Sequence, residues 1–231
     1  MPPVTHHRPT TLHTVHTLAV ALLTIGGVGY LGWLLEFFLE TGLSPLSASI
    51  DELSAVGQPY RNVFRTAEII AGAAFVLSVP PLLRLAPVHW QARLTVGAVS
   101  VLGVLLVVRG VTAPDCALSS GPVCAQRQEF SAGHHVHHVA SVLLSLHYAV
   151  GTGTLVLWWH GRWRVRAAVV AGLAALAWLA IIAVEWIVPG SYTGVAVRAR
   201  AILVGVAIAV GIGYLLTVGK RQGGEWQDSR Q

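Results

Sequence analysis

The stretch TLAVALLTIGGVGYLGWLLEFF (Thr17–Phe38) decides the fold. It holds 22 residues and one charge, Glu36, close to its end. A helix crossing about 30 Å of hydrocarbon needs about 20 apolar residues. The run is too long for the apolar region of a signal peptide and has no clear A-x-A cleavage site. It reads as a retained membrane helix.

Further segments of the same kind follow. The six spans read from the sequence are roughly 15–38, 64–86, 91–111, 133–159, 166–188 and 197–218. Only 11% of the chain is charged and 54% is hydrophobic, with a mean hydropathy of +0.65. Soluble domains carry about a quarter charged residues. The alternating ten-residue segments of a membrane β-barrel are missing. The expectation is an all-α membrane protein, a six-transmembrane-helix bundle forming one domain over 13–219. The ends, 1–12 and 220–231, read as disordered tails.

The formal charge of +5 does not point to nucleic acid, because the cations are scattered between the spans. With the N-terminus inside, Arg8, Arg84, Arg93, Arg162, Arg164, Arg166, Lys220, Arg221 and Arg230 fall on the cytoplasmic side. Arg61, Arg65, Arg109, Arg127, Arg198 and Arg200 fall outside. The bias places both termini in the cytoplasm. Fourteen of the fifteen cations are Arg, and together with abundant Ala, Val and Gly this suggests a high-GC bacterium, so that the expected location is the bacterial plasma (inner) membrane. Glycine-rich runs such as GGVGYLG and GVAIAVGIG are first a packing signal, since small residues let helices approach closely in lipid.

Cys116 and Cys124 share the loop before the fourth span, which this orientation places outside. There they suit a disulfide, with free thiols or metal ligands as alternatives.

Polar residues collect near the outer ends of the spans. Arg65 and Glu68 stand three apart on the second span, placed to pair. Glu185 closes the fifth. Arg198 and Arg200, opening the sixth, read as snorkelling to the interface. The stretch EFSAGHHVHHVASVLLSLHY (Glu129–Tyr148) holds five of the eleven histidines. Ser131 is placed to cap the fourth helix. His134, His138, Ser141, Ser145, Tyr148 and Thr152 fall on one stripe, His137 at its edge and His147 opposite. His134 and His138, at i and i+4, suit two imidazoles on one zinc ion, with Asp115, Glu68, Glu185 or His137 as further ligands. Metal-bound water would then attack a lipid ester or amide, with Ser141 as an orienting or acyl-accepting hydroxyl. The alternatives are hydrogen-bonded interfacial histidines or a pH-responsive cluster. The H-E-x-x-H base, a haem attachment motif and nucleotide-binding loops are all missing.

Three segments carry a resemblance: DELSAVGQPYRNVFRTAEIIAG (Asp51–Gly72), APDCALSSGPVCA (113–125) and SAGHHVHHVAS (Ser131–Ser141). They resemble the bacterial membrane family catalogued as domain of unknown function 998. The resemblance implies a six-helix bundle and transfers no catalytic residues. The expected site is an outward-facing polar pocket of Arg65, Glu68, Asp115, His134, His138, Ser141 and Glu185. The expected role is binding or sensing a membrane lipid, or supporting an envelope complex, without catalysis. A membrane-protein partner or a second copy of the chain stays open. The alternative is a metal-dependent hydrolase or transferase acting on envelope lipids.

Overall fold

The computed structural model describes residues 9–121, 124, 126, 128–187 and 192–228. Side chains are described for 12–121, 124, 126, 128–184, 186–187 and 192–217. The order of elements is α1 (Pro9–Tyr30), α2 (Arg61–Leu85), α3 (Trp90–Val111), α4 (Ala132–Trp158), α5 (Gly161–Ile187) and α6 (Thr193–Asp228). Short 3₁₀ turns cover Leu31–Phe37, Ile50–Ser54 and Leu118–Ser120. Among the described residues there is no strand.

All six long helices are apolar and long enough to cross a membrane. Only 17 to 39% of each span is buried within the bundle. The exposed remainder is largely Leu, Val and Ile, which only lipid solvates without cost. The chain is a multi-pass membrane protein.

The boundaries differ from expectation in two places. Helix α5 begins at Gly161, so Arg162, Arg164 and Arg166 lie in its first turns instead of in a loop. Gly161 turns the chain with φ +58°, a conformation that glycine adopts without a steric penalty. Arg162 and Arg166 then lie over the Trp163 ring, at 5.8 and 4.7 Å from its centroid. Helix α6 runs on to Asp228, ten residues past the end expected from hydropathy. Polar residues need not end a helix that has left the hydrocarbon.

Neighbouring helices are antiparallel, since Ala86–His89 and Trp159–His160 leave room only for tight reversals. One end of the bundle therefore carries these reversals, the start of α1 and the end of α6, here the terminal end. The other carries the Cys116–Cys124 disulfide, whose Cα atoms are 5.9 Å apart. This is the disulfide end.

Helices α1, α2 and α3 pack through glycine. A methyl group on Gly72 would lie 2.5 Å from the Gly103 carbonyl oxygen, and one on Gly103 2.7 Å from that of Gly72. Gly26 and Gly32 give similar closeness to Phe75 and Ala67. Along α6 the crowding falls off from its start: a methyl group on Gly194 would lie 2.5 Å from the Pro45 oxygen and one on Gly205 3.0 Å from Leu31, whereas one on Gly211 would meet nothing within 4 Å and one on Gly213 only Trp163, at 3.6 Å. Phe75, Leu106 and Leu144 are at the centre of the core.

Candidate functional site

At the disulfide end the loops are pinned by helix ends that need partners. The last carbonyls of a helix have none within it. At α3, Arg65 supplies them: its Nε donates to the Gly110 oxygen and an Nη to that of Val111, both at 2.9 Å. A cation at a helix C-terminus also suits the dipole. This use of Arg65 corrects the expected pair with Glu68. Glu68 instead accepts from Arg109 of α3 at 2.6 Å.

The same Arg109 nitrogen donates to Asp51 at 2.8 Å. Asp51 belongs to the 3₁₀ turn Ile50–Ser54, held in place by several local bonds. Ser49 and Glu52 cap each other, and Glu52 also accepts from the Ser119 amide (3.0 Å) and hydroxyl. The Val56 amide donates to the Pro114 oxygen. Burial alone would raise the Asp51 carboxyl, but the Arg109 guanidinium beside it holds it below the ordinary carboxylate value.

Helix α4 adds His137. Its Nδ1 lies 3.2 Å from the Arg109 oxygen and 3.4 Å from that of Thr112. Carbonyls only accept, so Nδ1 carries the proton and Nε2 is left as an acceptor. The buried stripe of α4 is His137, Ala140, Leu144, Tyr148 and Thr152. At its deep end this matches the expected stripe, but at the disulfide end it has turned, so His137 faces inward and His138 is exposed. The reason is again the α3 terminus, whose carbonyls reward the imidazole that reaches them.

His134 serves the loop. Its Nδ1 accepts from the Asp115 amide at 3.2 Å, and its ring stacks on Phe130 at 4.2 Å. Ser131 caps α4 as expected, its Oγ accepting from the His134 amide. The Asp115 carboxylate accepts from the Ser131 amide and hydroxyl at 2.7 and 2.6 Å. The expected pocket thus divides. Glu68 and Ser141 join Asp51, Arg109 and His137 inside; His134 and Asp115 form an outer clasp; His138 stands apart. The Glu185 side chain lies outside the described residues. Among the described residues no three His, Cys, Asp or Glu side chains gather to hold a metal ion. His134 and His138 are therefore not brought to a third ligand.

Arg198 gives a further correction. It does not snorkel but is buried. It donates to both Glu36 oxygens at 2.6 Å and to the carbonyls of Pro45, Ala48 and Gly194 at 2.8, 2.7 and 3.0 Å. Arg200 turns inward as well, 5.4 Å from the centroid of the Tyr148 ring.

Two cavities meet at Tyr148. The smaller, about 50 Å³, lies at the disulfide end among Tyr30, Trp33, Asp51, Glu68, Arg109 and Arg200. The larger, about 270 Å³, runs towards the terminal end and is mainly apolar. Phe75, Leu82 and Leu102 form one side, Val204 and Ile208 another, and Trp158, Trp159 and Tyr214 the far end. His147, which had no partner in the sequence reading, lines this cavity beside Gly151.

Sequence reasoning missed Asp51, Arg109, Tyr30 and Arg200 as site residues, and named His137 only as a further metal ligand. Asp51 had a signal, an acid immediately before Glu52 in the DELS segment. Arg109 was taken only as an orientation charge. No curated protein and no solved structure matches the chain. Residues 23–214 match the family described as Protein of unknown function (DUF998). With most of its length matched, and all six helices crossed by the match, the chain belongs to that family.

Proposed function

We propose that the protein takes the apolar chain of a membrane amphiphile into its bundle and binds or senses it without transforming it. One observation carries the reading: a partly open apolar cavity of about 270 Å³ lined by α1, α2, α3, α4 and α6. This is near the lower limit of ligand pockets, about 300 Å³, and suits part of a lipid. Tyr148 joins its wall to the polar cluster, so an amphiphile has an apolar and a polar environment within reach. The catalytic alternative draws no support from geometry, because no ligand set converges on His134 and His138 among the described residues.

In this reading the membrane is a bacterial plasma membrane and the termini are cytoplasmic. Two features support it: the cations Arg162, Arg164 and Arg166 at the terminal end, and the disulfide, which persists in oxidising compartments, at the other.

The test is photo-labelling with a phospholipid carrying a diazirine midway along its acyl chain. Label is expected on cavity residues of α3, α4 and α6, falling several-fold in Ala98→Leu/Ala207→Leu, which narrows the cavity. Label confined to outward-facing residues, undiminished in that variant, would overturn the reading.

A further inference from the structure

We propose that the smaller cavity is a binding site for an oxyanion, a phosphate or carboxylate group held by Arg200, Trp33, Tyr30 and Arg109. The proposal stands on the hydrogen-bond state of that cavity and not on occupation of the apolar one.

Buried polar groups are nearly always paired, and each exception asks for a missing partner. Here the exceptions crowd into one place. The Trp33 Nε1, the Tyr30 hydroxyl and the Nε atoms of Arg109 and Arg200 are all buried without a hydrogen bond of good geometry. Trp33, Tyr30 and Arg109 are each only 7% exposed, and all four residues line the cavity. The Tyr30 hydroxyl leans towards Tyr148 but forms no well-shaped bond. Among the residues that line the cavity one unpartnered acceptor, Glu68 Oε2, stands against these donors; the His137 Nε2 and Ser141 Oγ atoms are outside its lining. The imbalance calls for a ligand rich in acceptor atoms.

Charge narrows the class. Asp51 and Glu68 are both engaged by Arg109, at 2.8 and 2.6 Å. Arg200 has no carboxylate within ion-pair distance among the described residues; its guanidinium lies against the Tyr148 ring and shares the cavity wall with Asp51. A ligand that satisfies the donors and also neutralises Arg200 is an oxyanion. Size agrees: a water needs about 10–15 Å³ of such space, so 50 Å³ holds a few waters or one compact group. The group has two sources, the head of a lipid or a small free anion.

The experiment follows thermal unfolding and calorimetric binding of the full chain in dodecyl maltoside, a neutral amphiphile. The probes are inorganic phosphate and dodecyl phosphate. The variants are Arg200→Gln and Trp33→Phe, which keeps the ring and loses the N–H, with Arg84→Gln at the terminal end as control. Protection by dodecyl phosphate is expected, weakened about tenfold in Arg200→Gln and less in Trp33→Phe, and unchanged in the control. If Arg200→Gln does not fold, Trp33→Phe decides alone. Protection by inorganic phosphate as well identifies a free anion; protection by dodecyl phosphate alone identifies a head group. Either supports the site. No protection by either probe, or protection that survives in Trp33→Phe and in any folded Arg200→Gln, overturns it. Failure here leaves the photo-labelling of the apolar cavity unaffected.

Discussion

Two buried arginines at the disulfide end have been treated in opposite ways. Arg198 makes a bidentate pair with Glu36 and donates to three carbonyls. Its partners come from α6, from the end of the first span and from the segment after it. Arg109 offers one nitrogen to two carboxylates and leaves its Nε without a bond. Around Arg198 the polar groups close on one another, whereas around Arg109 the Trp33, Tyr30, Arg200, His137 and Ser141 groups are left short. The first arrangement ties chain segments together. The second has the form of a site that something else completes. A buried charge is expensive in either case, so the state of its hydrogen bonds, and not its burial, separates structure from function.

The comparison breaks most forcefully at the closed arginine. Arg198→Met leaves Glu36 buried without its cation, and losing one partner of such a pair costs about 3–5 kcal/mol. Little folded protein should survive extraction, and thermal unfolding of what remains should begin far lower. A variant of normal stability would show that Arg198 is no tie at all.

Removal of the disulfide comes next. Cys116→Ser/Cys124→Ser reopens a short loop, expected to cost about 2–3 kcal/mol. The loop carries Asp115, which holds Ser131 and His134 at the start of α4, so the change should fall on the open cluster. Hydrogen exchange of the first turns of α4 should rise more than that of α6.

Titration of Asp51 should have the smallest effect. Its carboxyl is held below the ordinary value, so its contribution is complete above about pH 4 and is lost as pH falls through the lowered folded value. The unfolding midpoint should fall with acid over that range, and Asp51→Asn should flatten the dependence. An unchanged profile in that variant would remove Asp51 from the electrostatics of the cluster.

The bundle itself was legible because hydrophobic length dominates membrane insertion and needs no knowledge of partners. The capping of α4 by Ser131 and the pairing of the cysteines were legible for a similar reason: both are local. The site was only half legible. Ser131 fixes where α4 begins, but one residue of rotation decided whether His137 or His138 was buried. That rotation depended on the free carbonyls of α3, a helix distant in sequence. Arg65 and Glu68 looked like partners at a spacing of three, yet each found a better one across the α2–α3 contact. Glycine showed the same limit. Composition marked GGVGYLG and GVAIAVGIG alike, while the structure crowds the first far more than the second.

The contact of Gly72 with Gly103 has a mechanical consequence. Where two backbones meet with no side chain between them, there is nothing to swing aside, so the α2–α3 face of the large cavity acts as a stiff wall. Helices α4 and α6 also line that cavity but scarcely touch each other. Compliance is concentrated on their side. Any widening of the cavity would therefore fall on α4 and α6, and on the α5 helix packed against both, with α2 and α3 as the fixed frame against which they move.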